Sequence, residues 1–417
     1  MLYSKIKFTL LALFVFVVHA LGQNNIQEKT ANYIKSAAFM ANNQAVVPFF
    51  KLGAAINFDF DDLLAGESDY YYNVTQYNYD WTPTRLSKID YIDGMDNQRI
   101  ANYSNSFNTL QLYSHYNLQL THSKYRILKS GNYVLEISNR SDEVVIRRKF
   151  IVYENLVNVP VQIKRSRDIG TITAKQNVEF TIKLGEQTFQ NPAQNIRVSL
   201  FQNAQWASSI SKVKPQYTIG NDLIYKYNKE TQFWGGNEFL NFDNKDIRAT
   251  TNAIGEVTAG EIYNTHLYPN LDRSNKTYTF FPDLNGSFYP RNINRENAAI
   301  EADYTWVYFT LITPETLDKR QFYITGMFNN YECTADNLMV YNPEVKAYEK
   351  ALLIKQGFTN FQYTAVKNQR VDFENPIDGN FAETENQYQV MVYYRGNNDL
   401  YDRVIGMGEA NSEHIIY

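Results

Sequence analysis

Residues 110–120 read LQLYSHYNLQL, with apolar and polar side chains alternating one by one. A period of two gathers the apolar groups on one side of an extended chain, whereas on a helix it scatters them around the axis. Such a segment buries its apolar side only as a strand laid against a second layer. The pattern recurs along the chain. Residues 34–39 (IKSAAF) and 46–52 (VVPFFKL) flank a turn at 41–44 (ANNQ), and residues 57–64 (NFDFDDLL) alternate and then bend. Residues 70–81 form a long tyrosine-rich strand, and 133–137 returns as a hairpin in 144–153 (VVIRRKFIVY). No stretch carries the 3.6-residue period over the length of an ordinary helix. The spacing predicts an all-β protein: tandem Ig-like or early-set β-sandwich domains with few or no helices.

The chain has 417 residues, of which 44% are hydrophobic and 33 are tyrosine. At ~150 residues per domain, two or three domains are expected. A first sandwich is predicted over 23–155. A middle β domain over 156–297 contains strands at 177–184 and 195–202, a glycine pair beside Trp234, and a hairpin over 278–289. A C-terminal sandwich over 298–417 begins with the strand 303–312 and ends with 388–395 (YQVMVYYR). The lone cysteine, Cys333, excludes an internal disulfide and a cysteine-based zinc cluster. Cores of this size hold without such staples. The net charge of −4 argues against nucleic-acid binding, which needs a basic face for phosphates.

Residues 1–22 read as a secretory signal. Lys5 and Lys7 precede an apolar run over 8–18, and Ala20 and Gly22 stand at the −3 and −1 positions. Cleavage after Gly22 and a soluble mature protein outside the cytoplasm are expected. No lipid-anchor cysteine follows.

Residues that could carry chemistry are few. The histidines are His19, His115, His122, His266 and His414, and none pair at metal-ligand spacing. No nucleophile elbow, phosphate loop or dinucleotide fingerprint is present. Asp59, Asp61 and Asp62 offer oxygen ligands, but without the calcium-loop spacing they read as a solvated turn. Asp90, Asp93 and Asp96 fall in a passage read as loop. No metal, cofactor or catalytic residue is expected, and the chain is not read as an enzyme. Among the tryptophans, Trp306 lies mid-strand and is expected in the core, as is Trp234. Trp81 either caps the first sandwich or is presented at its edge, and Trp206 stands open between core and surface.

The order of residues from Tyr70 to Thr109, with Asp80-Trp81-Thr82-Pro83 and then Ser106-Phe107-Asn108-Thr109, resembles the plug proteins of the type IX secretion system, a family of Bacteroidetes-type bacteria. The likeness continues through Ser130-Gly131-Asn132-Tyr133, Gln202-Asn203-Ala204-Gln205-Trp206, Gly235-Gly236-Asn237-Glu238-Phe239 and Lys355-Gln356-Gly357-Phe358. Gln76 and Asn78 stand where the family often carries His and Cys. Separately, the stretch Ile324-Thr325-Gly326-Met327-Phe328-Asn329-Asn330 resembles carbohydrate-binding early-set modules, with Tyr331 near the place of their usual Trp. The first resemblance implies a non-enzymatic periplasmic plug. It would be a monomer within a hetero-complex, binding the periplasmic side of the giant outer-membrane translocon barrel and closing it when no substrate passes. The alternative is a carbohydrate-binding sandwich protein of the cell periphery. Trp81, Arg85, Lys88, Arg99 and Trp206 are the candidate partner-binding residues. The loop 83–105 is expected either to brace the first two domains or to meet the barrel.

Overall fold

The computed structural model describes residues 26–293, 296–315, 319–413 and 415. The expected export signal over 1–22, with His19, and also His414, lie outside the described residues. Strands dominate, and the α-helices described are three single turns, Lys88–Tyr91, Pro192–Asn195 and Ala298–Glu301. The all-β expectation therefore holds.

The first sandwich packs two sheets. One runs in the order Lys29–Thr30, Val144–Tyr153, Gly131–Asn139, Tyr70–Tyr77 and Gln98–Arg99, with Phe49–Lys51 added in parallel to Val144–Tyr153. The other runs in the order Gln44–Ala45, Ile34–Ala41, Asn57–Asp62, Ser114–Gln119 and Tyr103–Asn105. Alternation places Tyr70, Tyr72 and Val74 from one sheet against Phe58, Phe60 and Tyr116 from the other. Phe60 and Tyr116 stack at 4.9 Å. The turn at 41–44 forms as read, because Asn42 and Asn43 both take the left-handed conformation that a tight hairpin demands. Gln76 continues the inward row and is fully buried. Its Nε2 donates to the Ser130 carbonyl at 3.0 Å, lying so close to Gly131 that a Cβ there would stand 2.8 Å from it.

The second sandwich begins with Val161–Arg165, Lys175–Lys183 and Asp222–Tyr225 in one sheet and Ile196–Gln202 in the other. The chain then leaves it. A third sandwich forms from 240 to 371. Leu240–Asp243, Gly357–Lys367, Phe288–Pro290 and Gln321–Thr325 face a sheet built on Tyr304–Ile312 and Ala347–Lys355. Its core joins Phe242, Ile254 and Leu267 to Val307, Phe309, Ile324 and Phe361. Only then do Gln387–Tyr394 and Arg403–Asn411 return to the second sandwich, Ile196 pairing with Tyr394 and Gln202 with Tyr388. The domains are thus not the linear succession 156–297 and 298–417. The third sandwich is inserted into the second, and the last strand pair belongs to the middle core with Val198 and Val178. Gln387–Tyr394 is buried on both faces and flanked on both edges, a place that neighbours in sequence do not supply. The expected hairpin over 278–289 is also absent. Phe288–Pro290 pairs with residues 357–359, and residues 278–283 run as irregular chain.

Candidate functional site

The junctions between sandwiches hold the polar and aromatic side chains that the cores leave over. Between the first and second sandwiches, the strand Tyr70–Tyr77 ends in a turn whose Trp81 has φ 60°. The Trp81 ring meets Trp206 edge-on at 5.4 Å. Trp206 in turn packs on Phe49 at 5.8 Å and on Phe201 at 5.2 Å. Lys149 Nζ stands 5.2 Å from the Trp81 ring centroid and 5.8 Å from that of Trp206, a cation held against two aromatic rings. Tyr79 donates to the Val198 carbonyl at 2.9 Å, and Tyr393 donates to Asn132 at 2.8 Å. The two tryptophans therefore meet each other at this junction.

The charged candidates lie elsewhere. Arg85 is exposed, Lys88 pairs with Asp96, and Arg99 pairs with Asp69 at 2.5 Å. Asp93 pairs with Arg126, and Asp90 accepts the Ser87 N–H at the start of the short helix. Through these contacts residues 85–99 of the loop fold back on the first sandwich, where Gln98–Arg99 pairs with Tyr71 and Tyr72 as an edge strand.

Between the first and third sandwiches, the acidic run overturns its reading as a solvated turn. Asp61 and Asp62 are fully buried within the strand Asn57–Asp62. Phe58 and Phe60 occupy the inward positions, so Asp59 and Asp61 emerge on the opposite face, where the third sandwich docks. Asp61 accepts from Lys355 Nζ at 2.6 Å, from the Tyr304 hydroxyl at 2.6 Å and lies 2.7 Å from His115 Nδ1. Burial alone would raise the Asp61 carboxyl. The Lys355 ammonium and His115 outweigh it and hold the group below its ordinary value. Asp59 has weaker compensation, and burial raises it. Among the described residues no acidic, histidine or cysteine cluster has the arrangement of a metal site.

Beside this network, Asp303 accepts the backbone N–H groups of Leu110 and Gln111 at 2.6 and 3.0 Å. Phe107 N–H donates to the Ile300 carbonyl, and the Tyr113 hydroxyl donates to the Ala302 carbonyl. The loop 107–112 is thereby fastened to the third sandwich while Phe107, Leu110 and Leu112 point outward, at 61, 54 and 60% exposure. The alternation over 110–120 placed Leu110 and Leu112 on the buried side of a strand, but the strand is Ser114–Gln119, and the residues before it are drawn away as a loop by Asp303.

At the junction of all three sandwiches lies a cleft of about 350 Å³, lined among others by Glu28, Lys149, Trp206, Tyr331 and Cys333. Tyr331 is packed rather than presented, its hydroxyl donating to the Asn285 carbonyl at 3.3 Å. Burial pushes the Cys333 thiol up to about 11, which leaves it protonated and unreactive at neutral pH. Nearby, Asp283 accepts the N–H of Phe239 and of Asn285 at 2.7 and 2.6 Å, yet burial, with Glu238 and Glu385 adding, pushes its carboxyl up to about 7. Trp306 is a correction in the other direction. It is 40% exposed, because in Tyr304–Ile312 the neighbours Thr305 and Val307 take the inward side. Trp234 is half-buried under the Lys175 ammonium, 4.2 Å from its centroid.

Residues 34–154, nearly the whole first sandwich, match the family described as type 9 secretion system plug protein, first domain. A crystal structure of a hypothetical protein from Parabacteroides merdae superposes with a TM-score of 0.87 at 30% identity, covering 92% of this chain and 98% of that one. The likeness thus extends over all three sandwiches. No curated protein matches. The first sandwich belongs to the type 9 secretion system plug protein family, as its first domain.

Proposed function

We propose that the protein acts as a periplasmic plug without catalysis, binding the periplasmic side of the outer-membrane translocon barrel of the type IX secretion system and closing it between substrates. The observation that carries this reading is the fastened loop 107–112. It belongs to the segment matched by the plug family, and it holds three large apolar side chains in water on a backbone pinned by Asp303 and Ile300. Exposed apolar groups on a rigid support are the makings of an interface centre, since little ordering entropy remains to be lost on binding. A closure must also resist deformation. The Asp61–Lys355 and Trp81–Trp206 contacts join three sandwiches into one body suited to covering a wide pore. A stable seal of this kind buries on the order of 1,600 Å² or more.

The test is co-purification of the barrel from cells carrying the wild-type chain or a Leu110→Asp, Leu112→Asp variant. Loss of the variant from the complex, with its thermal unfolding unchanged, is expected. Deletion of the chain is expected to raise outer-membrane leakiness. Absence of the wild-type chain from the complex, together with unchanged leakiness on deletion, overturns the reading.

A further inference from the structure

A cavity of about 710 Å³ separates the first and third sandwiches, within the size range of ligand clefts. Residues 30–37 make much of one wall, and residues 350–355 make another. The second wall is an unfinished sheet edge. The strand Ala347–Lys355 is paired along its inner side with Tyr304–Ile312, but on its outer side Val340–Asn342 reaches only residues 347–349. The phase of the ladder decides which groups are left over. Gln356 N–H donates to the Asp303 carbonyl at 2.7 Å, so 356, 354 and 352 bond inward and Ala351 and Leu353 turn their N–H and C=O outward. Trp306, opposite Leu353, agrees by sending its own N–H away to the Tyr263 carbonyl at 3.0 Å. Among the described residues, nothing bonds the outward groups of Ala351 and Leu353.

Free donors and acceptors at two-residue spacing along a cavity wall match the backbone of another extended chain. The adjoining side chains fit the same occupant. Trp306 and Leu353 are cross-strand neighbours, and an added strand would continue their row with a third side chain. Arg148, also lining the cavity, is almost fully buried. Glu332 takes one of its nitrogens at 3.2 Å, and its Nε has no partner. That orphan donor, with Lys35 and Lys350 on the walls and Glu332 and Asp336 as the opposing charges, complements a carboxylate.

We propose that this cavity receives an extended polypeptide segment of a partner, which adds as a strand to Ala351 and Leu353. An apolar side chain lies beside Leu353 on the Trp306 face, and a carboxylate is directed toward Arg148. The free edge over 350–354 accommodates roughly 17 Å of strand at ~3.4 Å per residue. The site is separate from the loop 107–112, and nothing in its chemistry depends on the plug reading.

The experiment pans a phage-displayed library of linear dodecapeptides against the full chain and measures the selected peptides on variants. Ala351→Pro removes one outward N–H without touching the ladder to Tyr304–Ile312. Enrichment of acidic peptides with alternating apolar residues is expected, together with slowed hydrogen exchange at the Ala351 and Leu353 amides. Ala351→Pro should weaken binding by about tenfold or more. Should that variant fail to fold, Trp306→Ala, which deletes a ring 40% exposed and outside the core, serves in its place with the same expected loss. No enrichment, unprotected amides, or undiminished binding by the folded variant overturns the proposal.

Discussion

Asp61 and Lys355, 294 positions apart in the chain, meet at 2.6 Å with side-chain exposures of 1 and 3%. An ion pair so deeply buried stands because further polar groups surround it. Tyr304 and His115 complete the carboxylate, and the Ala299 carbonyl accepts a second Lys355 proton at 2.6 Å. The pair fixes how the first and third sandwiches sit, since either charge left alone at the contact is costly.

Lys355→Met should accordingly destabilise the chain by about 3–5 kcal/mol, the usual cost of leaving one buried charge unpaired. The double variant with Asp61→Leu should recover part of that loss. Urea titration followed by a probe at the first–third junction measures both. Equal stability of Lys355→Met and wild type would contradict the role given to the pair.

The Trp81–Trp206 contact makes a separate prediction. Single alanine variants should each weaken the junction of the first two sandwiches by about 1–3 kcal/mol. The double variant should cost less than their sum, with a coupling of about 0.5–1.5 kcal/mol for an edge-on ring pair. Faster proteolysis between residues 154 and 161 would report the same loosening.

Acidity should act through Asp283, whose carboxyl is pushed up to about 7. The folded chain then keeps a proton that the unfolded chain releases near 4, so stability falls as pH rises between those values and levels off above 7. The slope from this one group is at most about 1.4 kcal/mol per pH unit. Asp61 acts oppositely. Its depressed carboxyl stabilises the fold above about pH 4, and the contribution disappears as pH falls through its lowered folded-state value. Asp283→Asn should flatten the neutral side of the profile and leave the acid side intact.

Gly131→Ala should cost about 1–3 kcal/mol, because φ is 155° and the new methyl group would stand 2.8 Å from Gln76 Nε2. Shortening Gln76 to Ser in the same chain removes the clash but not the backbone strain, so only partial recovery is expected in thermal unfolding.

Much of the fold was legible because a strand period is local. The rows Phe58–Phe60 and Tyr70–Tyr72–Val74 could be read directly, as could the Asn42-Asn43 turn. What could not be read was decided by pairing at a distance. Nothing near Gln387–Tyr394 announces that its partner is Ile196–Gln202. For Trp306, the strand was evident but the buried side depended on which layer packed against it. The acidic strand misled for a related reason. Asp61 looks solvated until Lys355 is known to arrive from the third sandwich. Among the candidate residues, Trp81 and Trp206 were legible as aromatic anchors, but only the structure pairs them with each other. Leu110 and Leu112 misled because they continue the alternation of Ser114–Gln119, while the chain there is held out as a loop by Asp303, which comes from the third sandwich.

The insertion of the third sandwich within the second also sets an order of events. Ile196–Gln202 cannot acquire its central partner until Gln387–Tyr394 has been synthesised and delivered, so the middle layer closes last, after the unit it encloses. Once closed, that unit hangs from two covalent tethers rather than one. Its swivelling is restrained from both ends, and a chain cut short before residue 387 loses the middle of the molecule rather than its tail.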